Sequence, residues 1–250
     1  MKPAAITMNI PHLPLLDLTL PTPAENLACD EALLDDCEER GGGALRFWES
    51  STPFVVVGYA NAVASEVNLQ ACDEAQVPVL RRCSGGGTVV QGPGCLNYAL
   101  VLEIAGSSAL ATVSGANQFI LRRNAAALSA LLPEAVELCG DTDLVWRGRK
   151  FSGNAQRRRR THLLFHGTVL LGLDLMLVEK HLLLPTRQPN YREARSHREF
   201  IANLPLSTCA VKRALAEAWG VSAKMEEWPE ERTNRLVLER YALAEWNRSR

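Results

Sequence analysis

The chain has almost no excess of charge: 27 lysines and arginines stand against 28 aspartates and glutamates in 250 residues, a formal net charge of −1. No global field therefore draws it to nucleic acid or an anionic membrane, and any anion recognition has to be local. It lacks a run of the roughly 18 to 20 apolar residues that a membrane span needs. The opening stretch MKPAAITMNIPHLPLLDLTLPTP has no long apolar core of a secretory signal and is interrupted by prolines. The expected compartment is the cytoplasm, with neither a membrane nor a nucleic acid as partner. Paired cysteine spacing is missing too: the seven cysteines, at 29, 37, 72, 83, 95, 139 and 209, are odd in number and contain no CxxC. Neither a zinc ribbon nor a disulfide framework is therefore suggested. Internal repeats and low-complexity linkers are also absent.

What is present is a composition that is 47% hydrophobic on a chain long enough to bury a sizeable core. Residues from Pro23 onward carry a helical pattern that ends at the glycines 41–43, and two short apolar runs, 44–49 and 54–58, read as strands joined by a turn. A short helix is expected over 68–74, and strands over 77–82, 88–90 and 96–103. Apolar residues then recur near a 3.6-residue period from Asn117 to Leu132, a helix stopped by Pro133. Short strands follow at 136–138, 144–146, 149–152 and 163–171, with Arg157 to Arg160 as the hairpin turn before the last. Residues 185–204 read as irregular, and 208–220 and 229–246 as helices. The expected class is α+β, with mixed, mainly antiparallel sheets and flanking helices.

Two stretches carry chemistry. The first is RRCSGGGTVV, residues 81–90. Three successive glycines between strands suit left-handed backbone or close approach of backbone N–H groups to a ligand, and arginine adds a planar charged fork for carboxylate or phosphate. The pattern is an anion cradle or a bland glycine turn. It is not a Walker A loop, because no Gly-Lys-Ser/Thr follows, nor a dinucleotide fingerprint, because the GxGxxG spacing is missing. The second is DLVWRGRKFSGNAQ, residues 143–156. There a strand turns at Gly148, presents Arg149 and Lys150, and continues with small residues that admit a ligand. A lysine so placed suits negative charge developing on a phosphate or acyl oxygen.

Together these stretches resemble the lipoate-protein ligase family, within the fold shared by biotin and lipoate ligases and octanoyltransferases. Arg81-Arg-Cys-Ser-Gly-Gly-Gly matches the family's RR-x-S-G-G-G element, and Gly148-Arg-Lys-Phe-Ser-Gly-Asn-Ala its G-[KR]-K-[IF]-S-G-[NS]-A element. The opening helix, the first strands and His166-Gly-Thr-Val-Leu-Leu fall in the family's order. The resemblance implies one catalytic domain over 1–250, with a ligase-like core at about 20–205, a helical segment at 206–250 and no full accessory domain. A separate accessory subunit is then one expectation.

It further implies that ATP and lipoate (or octanoate) give an acyl-adenylate, and that the acyl group passes to a lysine of a lipoyl-domain acceptor protein. Lys150 becomes the catalytic residue. Arg82, Ser84, Gly85, Gly86, Gly87, Thr88, Val89, Val90 and Asp143 join it as candidates for ATP and adenylate binding, with Asp143 either a Mg²⁺ ligand or an orienter of Lys150. Arg81, Gly153, Ala155, His166 and Gly167 are candidates for the acyl pocket.

The chain departs from the family just after the glycines. Where many lipoate ligases read x-V-x-H-D-x-G-N, it has Gln91, Gly92 and Cys95 in place of the histidine, aspartate and asparagine. Cys95 and Cys139 therefore stand as alternative nucleophiles of an ATP-independent octanoyl or lipoyl transferase working through a thioester. A non-catalytic lipoyl-binding regulator is a further alternative. The arginine-dense stretch 187–200, with Tyr191 and His197, suits either a cap over the adenylate, a docking surface or a solvated loop.

Overall fold

The computed structural model describes residues 13–185, 188–221 and 223–249. In chain order the strands are β1 (Pro14–Asp17), β2 (Ala44–Trp48), β3 (Phe54–Val57), β4 (Val79–Arg81), β5 (Val89–Gln91), β6 (Cys95–Glu103), β7 (Glu137–Cys139), β8 (Asp143–Trp146), β9 (Arg149–Arg158), β10 (His162–Leu170) and β11 (Ala223–Lys224). The helices are α1 (Pro23–Arg40), α2 (Val63–Glu66), α3 (Leu69–Glu74), α4 (Val113–Ser129), α5 (Met176–His181), α6 (His197–Phe200), α7 (Thr208–Ala218), α8 (Glu230–Leu236) and α9 (Ala244–Asn247). The α+β class expected from the sequence is the one observed.

Eight strands form one sheet in the order β11-β1-β2-β6-β10-β9-β8-β7, and three form a second in the order β4-β3-β5. In the large sheet only β11–β1 and β1–β2 are parallel. From β2 to β7 every pairing is antiparallel. The middle of this sheet is the β9–β10 hairpin and its partner β6, whose residues 95–102 are all buried.

Helix α1 begins where local chemistry says it should. Thr22 Oγ1 accepts the N–H of Glu25 at 3.2 Å while the Glu25 carboxylate accepts the N–H of Thr22 at 2.7 Å, and Pro23 stands at the first helical position. Gly41, at φ 82°, ends it in a conformation that disfavours a side chain. Every residue from Asn26 to Leu34 is buried, so Asn26, Asp30 and Glu31 must all find partners inside the protein. On the far side of the large sheet, α4 and α7 cover a core that includes Phe47, Tyr98, Leu121, Phe151, Phe165 and Trp219.

Several local expectations are corrected. Residues 14–17 form a strand where none was expected, because four residues are too few to show alternation and pairing with β2 and β11 decides the matter. Arg157 and Arg158 lie within β9 rather than in a turn. Their guanidinium groups have protein partners: Arg157 lies over the Tyr59 ring and Arg158 donates to Leu110 O at 2.9 Å. The long final helix breaks into α8, a π-turn over Val237–Tyr241 and α9. The supposedly irregular 185–204 holds α6 and a turn of 3₁₀ helix at Asn190–Arg192. The start of the chain and Arg187 lie outside the described residues. Among those described, no helix is long and apolar enough to cross a membrane.

Candidate active site

A cavity of about 460 Å³ lies between the two sheets and is roofed by side chains from residues 182–185 and 188–201. Its size is that of a small-molecule site. The residues Gly86 to Val90 line one wall, and Lys150, Gly153, Ala155, His166 and Gly167 line another. Arg82 and Asp143 also border it. The two motifs, some sixty residues apart in sequence, therefore meet across one space.

The glycine loop is held by its carbonyls. Ser84 O accepts the N–H of Tyr59 at 2.8 Å and Gly86 O accepts Asn61 Nδ2 at 3.0 Å. Arg82 takes the other two, donating from Nη2 to Gly85 O at 2.5 Å and to Gly87 O at 2.8 Å. Each carbonyl from 84 to 87 thus accepts from a protein donor, which fixes the conformation of the loop. Gly86 needs its φ of 87°, and a methyl group on Gly58 would come within 2.0 Å of Gly86 O. Burial pulls the Arg82 guanidinium down to about 10, so it remains charged at neutral pH.

Lys150 and Asp143 form the second wall's ion pair, Nζ to Oδ1 at 2.7 Å. They sit on neighbouring strands, where the β8–β9 register slips between Leu144 and Val145. Gly153 faces Asp143 directly in that register, and a methyl group there would lie 2.9 Å from Lys150 Nζ. The missing side chain is the channel through which the lysine reaches the carboxylate. Tyr191 donates its hydroxyl to Asp143 Oδ2 at 2.6 Å. Burial first, and then the Asp143 carboxylate, pushes the Tyr191 phenol well above its ordinary range, so it is a donor. Both oxygens of Asp143 thus have a protein partner, Lys150 on one and Tyr191 on the other, an arrangement that can orient Lys150.

Two further expected residues turn out to act through neighbours. Gly167 makes room for Asn154, whose Oδ1 would be 1.8 Å from a methyl group at that position. Asn154 Oδ1 accepts the hydroxyl of Tyr98 at 2.6 Å, and its Nδ2 donates to Thr142 O at 2.8 Å, bracing the turn that carries Asp143. His166 bridges the glycine loop to α1, with Nε2 2.5 Å from Ser84 Oγ and Nδ1 3.3 Å from Asp30 Oδ2. Asp30 is paired on its other oxygen with the fully buried Arg46 at 2.6 Å.

Five sequence candidates are placed elsewhere. Arg81 and Ser84 are buried and do not line the cavity, and neither does the exposed Gly85. Neither Cys95 nor Cys139 lines it. Cys95 is fully buried and desolvation pushes its thiol up to about 12, while burial and then Glu137 and Asp143 raise that of Cys139. Gln91 does reach the cavity and donates to Thr168 Oγ1 at 2.9 Å, and Thr168 in turn donates to Asn97 Oδ1 at 2.5 Å. The arginine-dense stretch divides: Arg192 and His197 border the cavity, whereas Arg195 ties down the Gly148 turn through its carbonyl at 2.9 Å.

Sequence reasoning missed Asp30, Arg46, Glu66 and Asn154. Glu66 borders the cavity and accepts Thr88 Oγ1 and Asn61 Nδ2, buttressing the glycine loop. One signal was available: Asn26, Asp30 and Glu31 interrupt an otherwise apolar helical stretch, which marks them as buried polar groups in need of partners.

Residues 22–218 match the family model of the lipoyl protein ligase A/B catalytic domain. The chain is 26% identical to octanoyltransferase LipM of Halalkalibacterium halodurans, over 90% of this chain and 94% of that one. It is 27% identical to lipoate–protein ligase 1 of Staphylococcus aureus, over 91% and 70% respectively. Among solved structures it is similar to a bi-partite lipoate protein ligase from Thermoplasma acidophilum, with a TM-score of 0.81 and 24% identity over 95% and 96% of the two chains. It is also similar to a lipoate-protein ligase A bound with ATP, with a TM-score of 0.79 and 23% identity over 95% and 98%.

Proposed function

The chain belongs to the family of the lipoyl protein ligase A/B catalytic domain, and we propose that within it this protein is an ATP-dependent lipoate-protein ligase. The carboxylate of lipoate or octanoate attacks the α-phosphorus of ATP, and pyrophosphate leaves. The ε-amine of a lysine on a lipoyl domain then attacks the acyl carbon, and AMP leaves. Magnesium enters as part of the nucleotide substrate, and no step here relies on a protein-bound metal.

The observation that carries this reading is the Lys150–Asp143 pair opposite the pinned glycine loop, in a cavity that no cysteine among the described residues lines. Adenylation brings two anions together. An ammonium held between them offsets their repulsion and stabilises the charge on the transferred phosphoryl group. Asp143 and Tyr191 fix where that ammonium points, Arg82 keeps the loop closed on itself, and the apolar side chains of Leu170, Leu173 and Val178 take the acyl chain.

The second reading, an ATP-independent octanoyltransferase, is favoured by the similarity to octanoyltransferases named LipM. It needs an accessible thiolate, and both candidate thiols stand above the usual range and away from the cavity. A non-catalytic regulator would have no use for the Lys150–Asp143 pair. The acceptor is a lipoyl domain, and a separate accessory subunit completes the proposal. The solved ligase of T. acidophilum is described as bi-partite, and in this chain α7 packs on α4, α8 on α1 and α9 on β4.

The test is mass spectrometry of a lipoyl domain incubated with the protein. Lipoyl transfer from free lipoate that requires ATP supports the ligase. Octanoyl transfer from an octanoylated carrier protein without ATP would establish the transferase instead.

A further inference from the structure

Arg81 and Arg82 are neighbours in sequence that face opposite ways, one to residues 246–249 and the other to the cavity. Strand β4 is an edge of the three-stranded sheet and ends at Arg81, immediately before the glycine loop. At that point the edge is covered by side chains. Asn247 Oδ1 accepts the backbone N–H of Arg81 at 2.9 Å, and Trp246 Nε1 donates to the Arg81 carbonyl at 2.8 Å. These are the acceptor and donor that another strand would supply to an open edge.

The Arg81 side chain, fully buried, continues the link. Its Nε donates to Trp246 O at 3.0 Å and its Nη2 to Ser249 O, while Nη1 donates to Gly58 O at 2.8 Å and Asn61 O at 2.9 Å. Residues 58–61 are the same ones that hold the glycine loop, through Tyr59 N–H to Ser84 O and Asn61 Nδ2 to Gly86 O. Tyr59 also packs on Trp246, with ring centroids 5.8 Å apart. The Trp246 ring is itself fixed, lying under the Arg240 guanidinium at 4.8 Å, while Arg240 and Tyr241 both bind the buried Glu31 of α1.

We propose that Trp246 and Asn247 are positioning residues for the glycine loop. They act through Arg81 and residues 58–61, so that the segment 241–249 sets the geometry in which the loop receives an anion. The consequence for nucleotide affinity rests on the reading that this loop holds the phosphates of ATP. The mechanical link does not.

Two variants test it. Trp246→Phe keeps an aromatic ring and removes the indole N–H donated to the Arg81 carbonyl, together with part of the ring surface packed on Tyr59 and Arg240. Asn247→Leu keeps the volume and removes both the acceptor for the Arg81 N–H and the Nδ2 donor to the Tyr241 carbonyl. Leu238→Ala serves as a control in the same region, since that side chain is 73% exposed. Hydrogen exchange of the peptide 82–88 should quicken about tenfold in both variants and not in the control, the scale of one lost buried hydrogen bond. In ATP–pyrophosphate exchange with lipoate, the KM for ATP should rise about tenfold while kcat and the KM for lipoate stay near wild type. Unchanged exchange over 82–88, or a rise spread equally over the large sheet, would overturn the proposal. If the wild-type protein shows no ATP-dependent reaction, the ligase reading fails, and the exchange measurement still decides the link.

Discussion

Lys150 Nζ and Asp143 Oδ1 are 2.7 Å apart because Gly153, which pairs with Asp143 across the β8–β9 ladder, has no side chain to separate them. The pair is neither fully buried nor free in solvent, with 24% and 12% of the two side chains exposed. Its value as a surface ion pair is small, about 1 kcal/mol or less. Its orientation is what matters, and three predictions concern the chemistry that this geometry permits.

Lys150→Met removes the ammonium and keeps the aliphatic stem. Adenylate formation, followed by ATP–pyrophosphate exchange, should fall by about two to three orders of magnitude, in line with loss of one preorganised charge in a water-poor site. The melting temperature should move by no more than a few degrees. Activity within tenfold of wild type would remove Lys150 from the mechanism.

Gly153→Ala tests the channel instead of the charge. The new methyl group would sit 2.9 Å from Nζ and 3.8 Å from Asp143 Oδ1, so the flexible end of the lysine has to move. The expected outcome is a drop in kcat of tenfold or more, about 1.4 kcal/mol in the barrier, with stability nearly unchanged. Equal turnover in the two proteins would mean that the position of Nζ is not critical.

Replacing both candidate thiols, Cys95→Ala with Cys139→Ala, should leave at least about half of the ATP-dependent activity, apart from a modest packing loss at Cys95 of about 1 kcal/mol. Iodoacetamide at pH 7.5 should be without effect on turnover, because the Cys95 thiol, raised to about 12, is protonated there and shielded. Complete inactivation by either route would favour the thioester mechanism.

Stability should decline in alkali. Burial raises the thiols of Cys29 to about 11 and of Cys37, Cys83 and Cys95 to about 12, whereas an unfolded cysteine titrates near 8.5. The unfolded chain therefore loses these protons first. The associated stability is fully present below about pH 8.5 and is lost as the pH climbs toward 12, on the order of 1–2 kcal/mol per thiol by pH 10. Urea unfolding at pH 7.5 and pH 10 measures it, and Cys29→Ala should flatten the difference. Equal midpoints at both pH values would show that these thiols are not shielded in solution.

The residues that identify the site were legible because they are local in sequence. RRCSGGG and GRKFSGNA each place a charge and its small neighbours within one turn of chain, and the chemistry of such groups needs no tertiary context to be recognised. The helices α1 and α4 were legible for the same reason, through the apolar period and the glycines 41–43 and Pro133 that stop them. What the sequence could not reveal is direction. Nothing in the pair Arg81-Arg82 says that one guanidinium closes the loop while the other fastens residues 246–249, some 165 positions away. Nor does the HGT stretch show that Gly167 exists to admit Asn154, or that His166 spans from Ser84 to Asp30.

The sequence by itself determined which residues bring backbone freedom and fixed charge, the glycines of 85–87 with Arg82 and the lysine at 150, because these are properties of the residues. Tertiary structure alone decided which polar groups face the cavity and which are consumed in holding it. Strand register sets Lys150 against Asp143, the packing of α1 delivers Asp30 to His166, and burial keeps Cys95 a neutral thiol. Those outcomes depend on distance, desolvation and hydrogen-bond partners brought from remote parts of the chain, and no local pattern encodes them.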